Sequence, residues 1–191
     1  MRVTGGTFRG RVLDAPKTDS VRPTQDRVRE ALFGMLAPEM QGAEFLDLFA
    51  GSGAVGIEAI SRGAARVAFV ERDRRHLAVL KVNLSSIAGE DGRGGRATTI
   101  AADVYAWVSS YSGPGFSIAF ADPPYALGEE RGYARLLADI AARGVVRPGG
   151  LFVAEMTSAQ HPDDVPGWDL LRDRTYGKTR ICIWRRVAVT T

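Results

Sequence analysis

The chain has one cysteine, Cys182, and two histidines, His76 and His161, among its 191 residues. A single thiol excludes an internal disulfide framework, and with only two histidines for company it cannot build a multi-cysteine zinc site, so no metal is expected. A reducing, cytoplasmic setting is the default. Long hydrophobic runs are also missing. Nowhere do about 18 apolar residues follow one another, and Met1-Arg2-Val3-Thr4-Gly5-Gly6 lacks the apolar stretch of a signal peptide, so no membrane partner is expected. Nor is the charge extreme. The charged fraction is 25%, the net charge +3 and the pI about 9.3, too little to demand a nucleic-acid partner from composition alone. What is present is a 45% hydrophobic share, enough for a full core. The expected layout is an extension over 1–40 and a catalytic domain over 41–191, acting as a monomer.

Up to about Ala15, short apolar and basic residues alternate around Gly5-Gly6 and Gly10, the pattern of a hairpin too small to fold alone. From Thr24 the residues Val28, Ala31, Leu32, Met35 and Leu36 keep helical spacing, with Thr24 as N-cap and Pro38 as stop. Beyond Glu44, apolar runs at Phe45 to Phe49, Val67 to Val70, Thr99 to Ala102, Ile118 to Ala121 and Leu151 to Ala154 read as strands. Helical stretches near Val55 to Arg62, Arg74 to Ile87 and Tyr133 to Ala142 lie among them. Continuous rather than alternating apolar strands imply a sheet covered on both faces, hence a doubly wound, mostly parallel α/β fold. Trp168 to Leu171 and Ile181 to Trp184 flank a turn at Tyr176-Gly177-Lys178 and predict an antiparallel hairpin at the sheet edge. Gly89 to Gly95 reads as a flexible connector.

Ligand sites in such folds lie at the C-terminal ends of strands. After the first strand comes Asp47-Leu48-Phe49-Ala50-Gly51-Ser52-Gly53-Ala54-Val55-Gly56, whose glycines fit G-x-G-x-x-G at a strand-to-helix turn. The fingerprint alone suits a nicotinamide or flavin dinucleotide as well as S-adenosylmethionine. Asp47 favours the latter, because a carboxylate there can receive the cationic amine of a methionine moiety but would repel a pyrophosphate. Glu71 ends the second strand roughly 20 residues on, where an acid can accept ribose hydroxyls from either cofactor. Asp103, after the third strand, can accept from an adenine amino group, cap the next helix, or do both. The expected cofactor set is Asp47, Phe49, Gly51, Ser52, Gly53, Gly56, Glu71, Arg72, Asp103 and Val104.

Asp122-Pro123-Pro124-Tyr125 follows the fourth strand and is the strongest signal. The amino group of a base is a poor nucleophile because its lone pair is delocalised into the ring. Hydrogen bonds from its two protons, to the Asp122 carboxylate and to a carbonyl near Pro123, favour a pyramidal nitrogen with a free lone pair. Proline stiffens the loop and adds no competing N–H. Tyr125 would stack on the base, which must be unpaired or flipped out to reach it. The bland alternative is a rigid strand-exit turn. The expected catalytic residues are Asp122, Pro123, Pro124 and Tyr125.

These segments resemble the RsmD family of 16S ribosomal RNA guanine-N2 methyltransferases over nearly the whole chain. Gly5-Gly6 to Arg9-Gly10-Arg11, the entry helix Arg22-Pro23-Thr24-Gln25-Asp26-Arg27-Val28-Arg29-Glu30-Ala31-Leu32-Phe33, the Asp47 to Gly56 turn, Asp122 to Tyr125 and Tyr176-Gly177-Lys178-Thr179 carry the likeness. The entry helix is the most diagnostic, since generic methyltransferases share the turn but not that helix. The resemblance implies S-adenosylmethionine as cofactor, a Rossmann-like class I fold, and one guanine of 16S rRNA as target, nucleotide 966 in the usual numbering. The substrate it implies is the small ribosomal subunit or its assembly intermediate rather than naked RNA. Arg2, Arg9, Arg11, Arg22, Arg27 and Arg29 crowd the extension and form the expected RNA-binding set, against the simpler possibility of scattered solvated arginines. No long insertion could serve as a DNA-reading module, so recognition is expected to rest on RNA shape and an exposed base. An enzyme acting on another RNA or DNA base is the nearer alternative, and a nucleotide-dependent oxidoreductase the one from another class.

Overall fold

The computed structural model describes residues 1–15, 23–87, 97–123 and 133–187, apart from the side chains of 23–25. They fall into two compact units, Met1–Ala102 and Asp103–Thr191. The expected connector over Gly89 to Gly95 lies outside the described residues.

In the first unit, helix α1 (Pro23–Met40) leads into strand β1 (Glu44–Leu48), helix α2 (Ala54–Ser61), strand β2 (Arg66–Glu71), helix α3 (Arg74–Ile87) and strand β3 (Ala97–Ala101). The strands lie in the order β3-β2-β1 and pair in parallel, Leu48 opposite Val70 and Glu71 opposite Ala101. Every residue of β1 and β2 after the first is buried. That explains their unbroken apolar runs, because neither face of the ribbon meets water. Parallel register also brings the C-terminal ends of β1 and β2 level, so Asp47 and Glu71 emerge at the same edge of this unit.

Two expectations about α1 are corrected. Thr24 does not cap the helix, which already includes Pro23, and proline at the first helical position loses no hydrogen bond because that N–H has no partner within the helix. Pro38 does not stop it either; the helix runs on to Met40. A proline in the last turn removes a single intrahelical bond, and the chain turns only at Gly42, whose φ is 75° and whose N–H donates to the Gly63 carbonyl at 2.9 Å.

The first 15 residues form an antiparallel loop closed by one bridge, Arg2 to Val12, and by bonds from Val3 N–H to Arg11, Gly10 N–H to Val3 and Leu13 N–H to Met1, each 2.9 Å. Its buried residues Val3, Phe8 and Leu13 need the unit beneath them. Gly6 shows how close that docking is: its φ is 76°, and a Cβ there would stand 2.0 Å from the Ser61 carbonyl oxygen.

The second unit contains helix α4 (Val104–Ser110), strand β4 (Phe116–Ala121), helix α5 (Tyr133–Ala142) and strands β5 (Val146–Thr157), β6 (Trp168–Tyr176) and β7 (Thr179–Arg186). Strand order is β4-β5-β7-β6. β5 pairs in parallel with β4 and antiparallel with β7, so the C-terminal hairpin turning at Gly177 (φ 62°) occupies this edge. β5 begins earlier than its apolar core suggests, because Arg147-Pro148-Gly149-Gly150 is absorbed as an irregularity: Phe116 pairs with Val146 but Ile118 pairs with Leu151. Among the described residues no helix is long and apolar enough to cross a membrane.

Candidate functional site

The turn from β1 to α2 is held by two carboxylates. Asp47 is 1% exposed, and its Oδ2 accepts the Gly56 N–H at 2.8 Å. Gly56 is the third residue of α2, and the helix has no side-chain cap of its own at Gly53, so Asp47 caps it from the preceding strand. Burial raises the Asp47 carboxyl to about 7, opposed by the Gly56 bond and reinforced by the nearby charge of Glu71. Glu71, also buried, uses both oxygens: Oε2 accepts Gly51 N–H at 2.8 Å and Oε1 accepts Asp73 N–H at 2.7 Å. Each carboxylate oxygen has two acceptor positions, so these bonds leave Glu71 able to accept hydroxyl protons as well.

Between these anchors the backbone is strained and open. Phe49 has φ 62°, the one positive φ of a non-glycine among the described residues. The next residue turns straight back to the sheet, Ala50 N–H donating to the Val70 carbonyl at 3.0 Å. Gly51 also has a positive φ, 56°, yet a Cβ there would meet nothing within 4 Å. Its glycine therefore answers to backbone conformation, and the space beside it is free. Gly56 is different: a Cβ would stand 2.2 Å from the Phe69 ring, so it permits close packing of α2 on β2. Gly53 combines both demands, with φ 83° and Leu80 2.2 Å from a Cβ.

Sequence reasoning missed Asn83. It lies in α3, 2% exposed, and its Nδ2 donates to the Ser52 carbonyl at 2.9 Å. A signal was present: Leu77, Leu80 and Ile87 form the buried stripe of α3, and Asn83 is the polar residue set into it. Arg72, after Glu71, is exposed, and Arg75 is spent on Asp73 through a bond at 3.0 Å.

In the second unit, Asp103 caps α4, its Oδ1 accepting from Tyr105 N–H at 3.1 Å and Ala106 N–H at 3.2 Å, while Val104 is buried. Such a cap is worth about 1 kcal/mol and fixes the side chain's direction. At the end of β4 the Asp122 side chain is exposed and Pro123 buried. Pro124 and Tyr125 lie outside the described residues. Tyr133, at the start of α5, donates its hydroxyl to the Glu155 carbonyl at 2.5 Å. Its phenol is pushed well above the usual range by burial and then by the negative charges of Asp122 and Glu155.

The expected RNA-binding arginines separate. Arg2, Arg9 and Arg27 are exposed; Arg11 is half-buried and donates to the Ser86 carbonyl at 3.1 Å. Arg22 lies outside the described residues. Arg29 is corrected: at 7% exposure it donates to Asp26 at 2.8 Å and approaches Glu58 at 3.4 Å. Glu58 is fully buried, and Thr4, Arg29 and Arg62 surround it, Thr4 donating through both N–H and hydroxyl at 2.8 Å. A buried carboxylate needs such partners, and they leave Arg29 no surface to offer RNA.

Comparison with known proteins covers nearly the whole chain. Residues 1–185 match the family described as Conserved hypothetical protein 95. Ribosomal RNA small subunit methyltransferase D of Escherichia coli strain K12 is 35% identical over 98% of this chain and 91% of its own, and that of Haemophilus influenzae 33% over 93% and 89%. The solved structure of yhhF from Escherichia coli superposes with a TM-score of 0.84 at 34% identity, covering 98% of both chains. By the family match and by these identities over nearly its full length, the chain belongs to the RsmD family of methyltransferases.

Proposed function

We propose that this protein uses S-adenosylmethionine to methylate the exocyclic N2 amino group of a guanine in 16S rRNA, nucleotide 966 in the usual numbering, within the small ribosomal subunit or its assembly intermediate. The observation that carries this reading is the glycine turn clamped by Asp47 and Glu71 with open space beside Gly51. Bound there, the cofactor supplies an electrophilic methyl group on a sulfonium. The ligand chemistry fits the donor set: Asp47 offers an anion for an ammonium group, Glu71 two oxygens for a ribose diol, and Asp103 and Val104 an acceptor and an apolar wall for an adenine. Phe49, Ser52, Gly53, Gly56 and Arg72 complete the proposed cofactor-binding set.

Asp122 takes the catalytic role. Its carboxylate accepts a hydrogen bond from the target amino group, and a carbonyl at Pro123 or Pro124 accepts the second. Held in this way before reaction, the nitrogen points its lone pair away from the ring. Tyr125 stacks on the flipped base. The names of the relatives support a ribosomal RNA substrate. Arg2, Arg9 and Arg27, exposed in the extension and on α1, supply phosphate contacts, with Arg11 and Arg22 beside them in sequence. The test is to map methylation in small subunits from cells lacking the protein before and after treatment with the purified enzyme and S-adenosylmethionine. A single new methyl on guanine N2 is expected; a methyl on another base, or on no RNA, overturns the assignment.

A further inference from the structure

We propose that Asn83 is a positioning residue that couples cofactor binding to the seating of the N-terminal loop. The inference rests on reading the Asp47 to Gly56 turn as the cofactor site, and it adds a second segment that responds when that site is filled.

Asn83 is buried within α3, where an unsatisfied amide would be costly. Its three hydrogen bonds go to two separate segments. Oδ1 accepts the Asp14 N–H at 2.8 Å and Nδ2 donates to the Asp14 carbonyl at 3.0 Å, so the side chain pairs with one residue of the loop as a neighbouring strand would. The remaining amide hydrogen goes to the Ser52 carbonyl at 2.9 Å, between Gly51 and Gly53. Both amide hydrogens and the amide oxygen are therefore engaged.

A second link joins the same partners. The Ser52 hydroxyl donates to the Met1 sulfur at 3.9 Å, and Met1 is tied to the far side of the loop by Leu13 N–H to the Met1 carbonyl at 2.9 Å. Both strands of the loop therefore reach Ser52, one directly and one through Asn83. Other anchors of the loop do not touch Ser52: Thr4 on Glu58 and Phe8 N–H on the Ser61 hydroxyl lie on α2, Arg11 reaches the Ser86 carbonyl at the end of α3, and the Arg2 carbonyl accepts from Arg29 on α1. Any ligand that narrows the conformations of Ser52 also narrows those of Asp14, and by linkage a seated loop favours the ligand-bound turn by the same factor. In this way Asn83 connects the loop that carries Arg9 and Arg11 to the turn that carries the cofactor.

Amide hydrogen exchange in the full chain tests this, with S-adenosylhomocysteine as probe. Ligand binding slows exchange everywhere by stabilising the fold, so the readout is Asp14 relative to Ala65, whose N–H donates to the Ala43 carbonyl at 2.7 Å in the same unit. In the natural protein the ligand should slow Asp14 at least about fivefold more than Ala65, the lower end of ordinary coupling. In Asn83→Leu, which keeps the branched outline but no hydrogen bond, the excess should vanish and affinity should fall by a similar factor. A side chain that merely fills the core would lower thermal stability without removing a ligand-dependent difference. Equal slowing at Asp14 and Ala65 in the natural protein, with ligand bound, overturns the coupling while leaving the cofactor assignment intact. That comparison decides the matter even if Asn83→Leu does not fold. Failure of the natural protein to bind the ligand overturns the cofactor reading and this proposal with it.

Discussion

Glu71 Oε2 accepts the Gly51 N–H at 2.8 Å, so the acid at the end of one strand holds the glycine turn that follows its parallel neighbour. An acid in this position does two jobs. It fixes the turn before any ligand arrives, and it retains lone pairs that a ribose diol can use.

Removing it should damage ligand binding more than folding. Glu71→Ala should lower affinity for S-adenosylhomocysteine by about tenfold or more, the usual consequence of losing hydrogen bonds to a charged group. Glu71→Gln should bind in between, because its amide oxygen can still accept the Gly51 N–H. Calorimetry measures both, with circular dichroism to establish folding. Binding of a nicotinamide dinucleotide by the natural protein in place of S-adenosylhomocysteine would contradict the assignment.

Much of this arrangement was legible in the sequence because strand ends and apolar stripes announce themselves. Val67 to Val70 could only be a strand buried on both faces, which put Glu71 at a strand's end, and the stripes of α3 and α5 marked those helices at both ends. What stayed hidden depended on contacts between distant segments. Arg29 looks like its exposed neighbour Arg27 until Glu58, 29 residues later, is seen buried against it. The apolar run starts β5 only at Leu151, because nothing local shows that Arg147 to Gly150 are absorbed as an irregularity against β4. Pro38 likewise reads as a stop although the helix loses little at its last turn.

The Asp47 carboxyl gives a pH signature. Its proton leaves at about 7 in the fold, against 3.8 in the unstructured reference, because burial disfavours the charge. The folded protein therefore holds this proton between those values, and the stability it contributes is complete below the lower one and lost as pH rises through the higher. An ammonium ligand needs the carboxylate, so binding below about pH 7 must release a proton, and affinity should rise by up to about tenfold per pH unit towards that point. Above about pH 8 the ligand's own amine begins to lose its charge. Calorimetry at pH 6 in buffers of different ionisation heat should detect the released proton, and Asp47→Asn should abolish the release; a pH-independent affinity in the natural protein would place the ammonium elsewhere.

For RNA, the exposed pair Arg9 and Arg27 is the place to intervene, since Arg29 is committed to Asp26 and Glu58. Replacing both with glutamine should weaken binding to small subunits and reduce the steepness of its salt dependence by roughly one contact for each arginine lost. The deficit should therefore shrink as salt rises, while affinity for S-adenosylhomocysteine stays at the natural value. Filter binding over a salt series measures this; an unchanged slope would show that these side chains face solvent rather than phosphate.

The most demanding test concerns Asp122. A base amino group is far too weak an acid for a carboxylate to deprotonate before attack, so the role proposed for Asp122 is first that of an acceptor that orients the amine. In that proposed role the proton leaves only as the nitrogen becomes cationic, and the same carboxylate would receive it. The exposed position of Asp122 at the end of β4 suits a group that meets an incoming base, and buried Pro123 beside it holds the backbone still. Asp122→Asn keeps the shape but replaces an anionic acceptor with a neutral amide. The methylation rate should fall about 10²-fold or more, as is common on losing one preorganised catalytic group. Cofactor and subunit binding should survive, because Asp122 is assigned to the reacting amine and not to an anchor of either ligand. Tyr125→Ala should also slow methylation, whereas Tyr125→Phe should retain most of the rate, since stacking needs the ring and not the hydroxyl. Single-turnover methylation of small subunits lacking the modification, with cofactor binding measured in parallel, separates these effects. A folded Asp122→Asn protein that binds cofactor and methylates at the natural rate would move the chemistry to another residue.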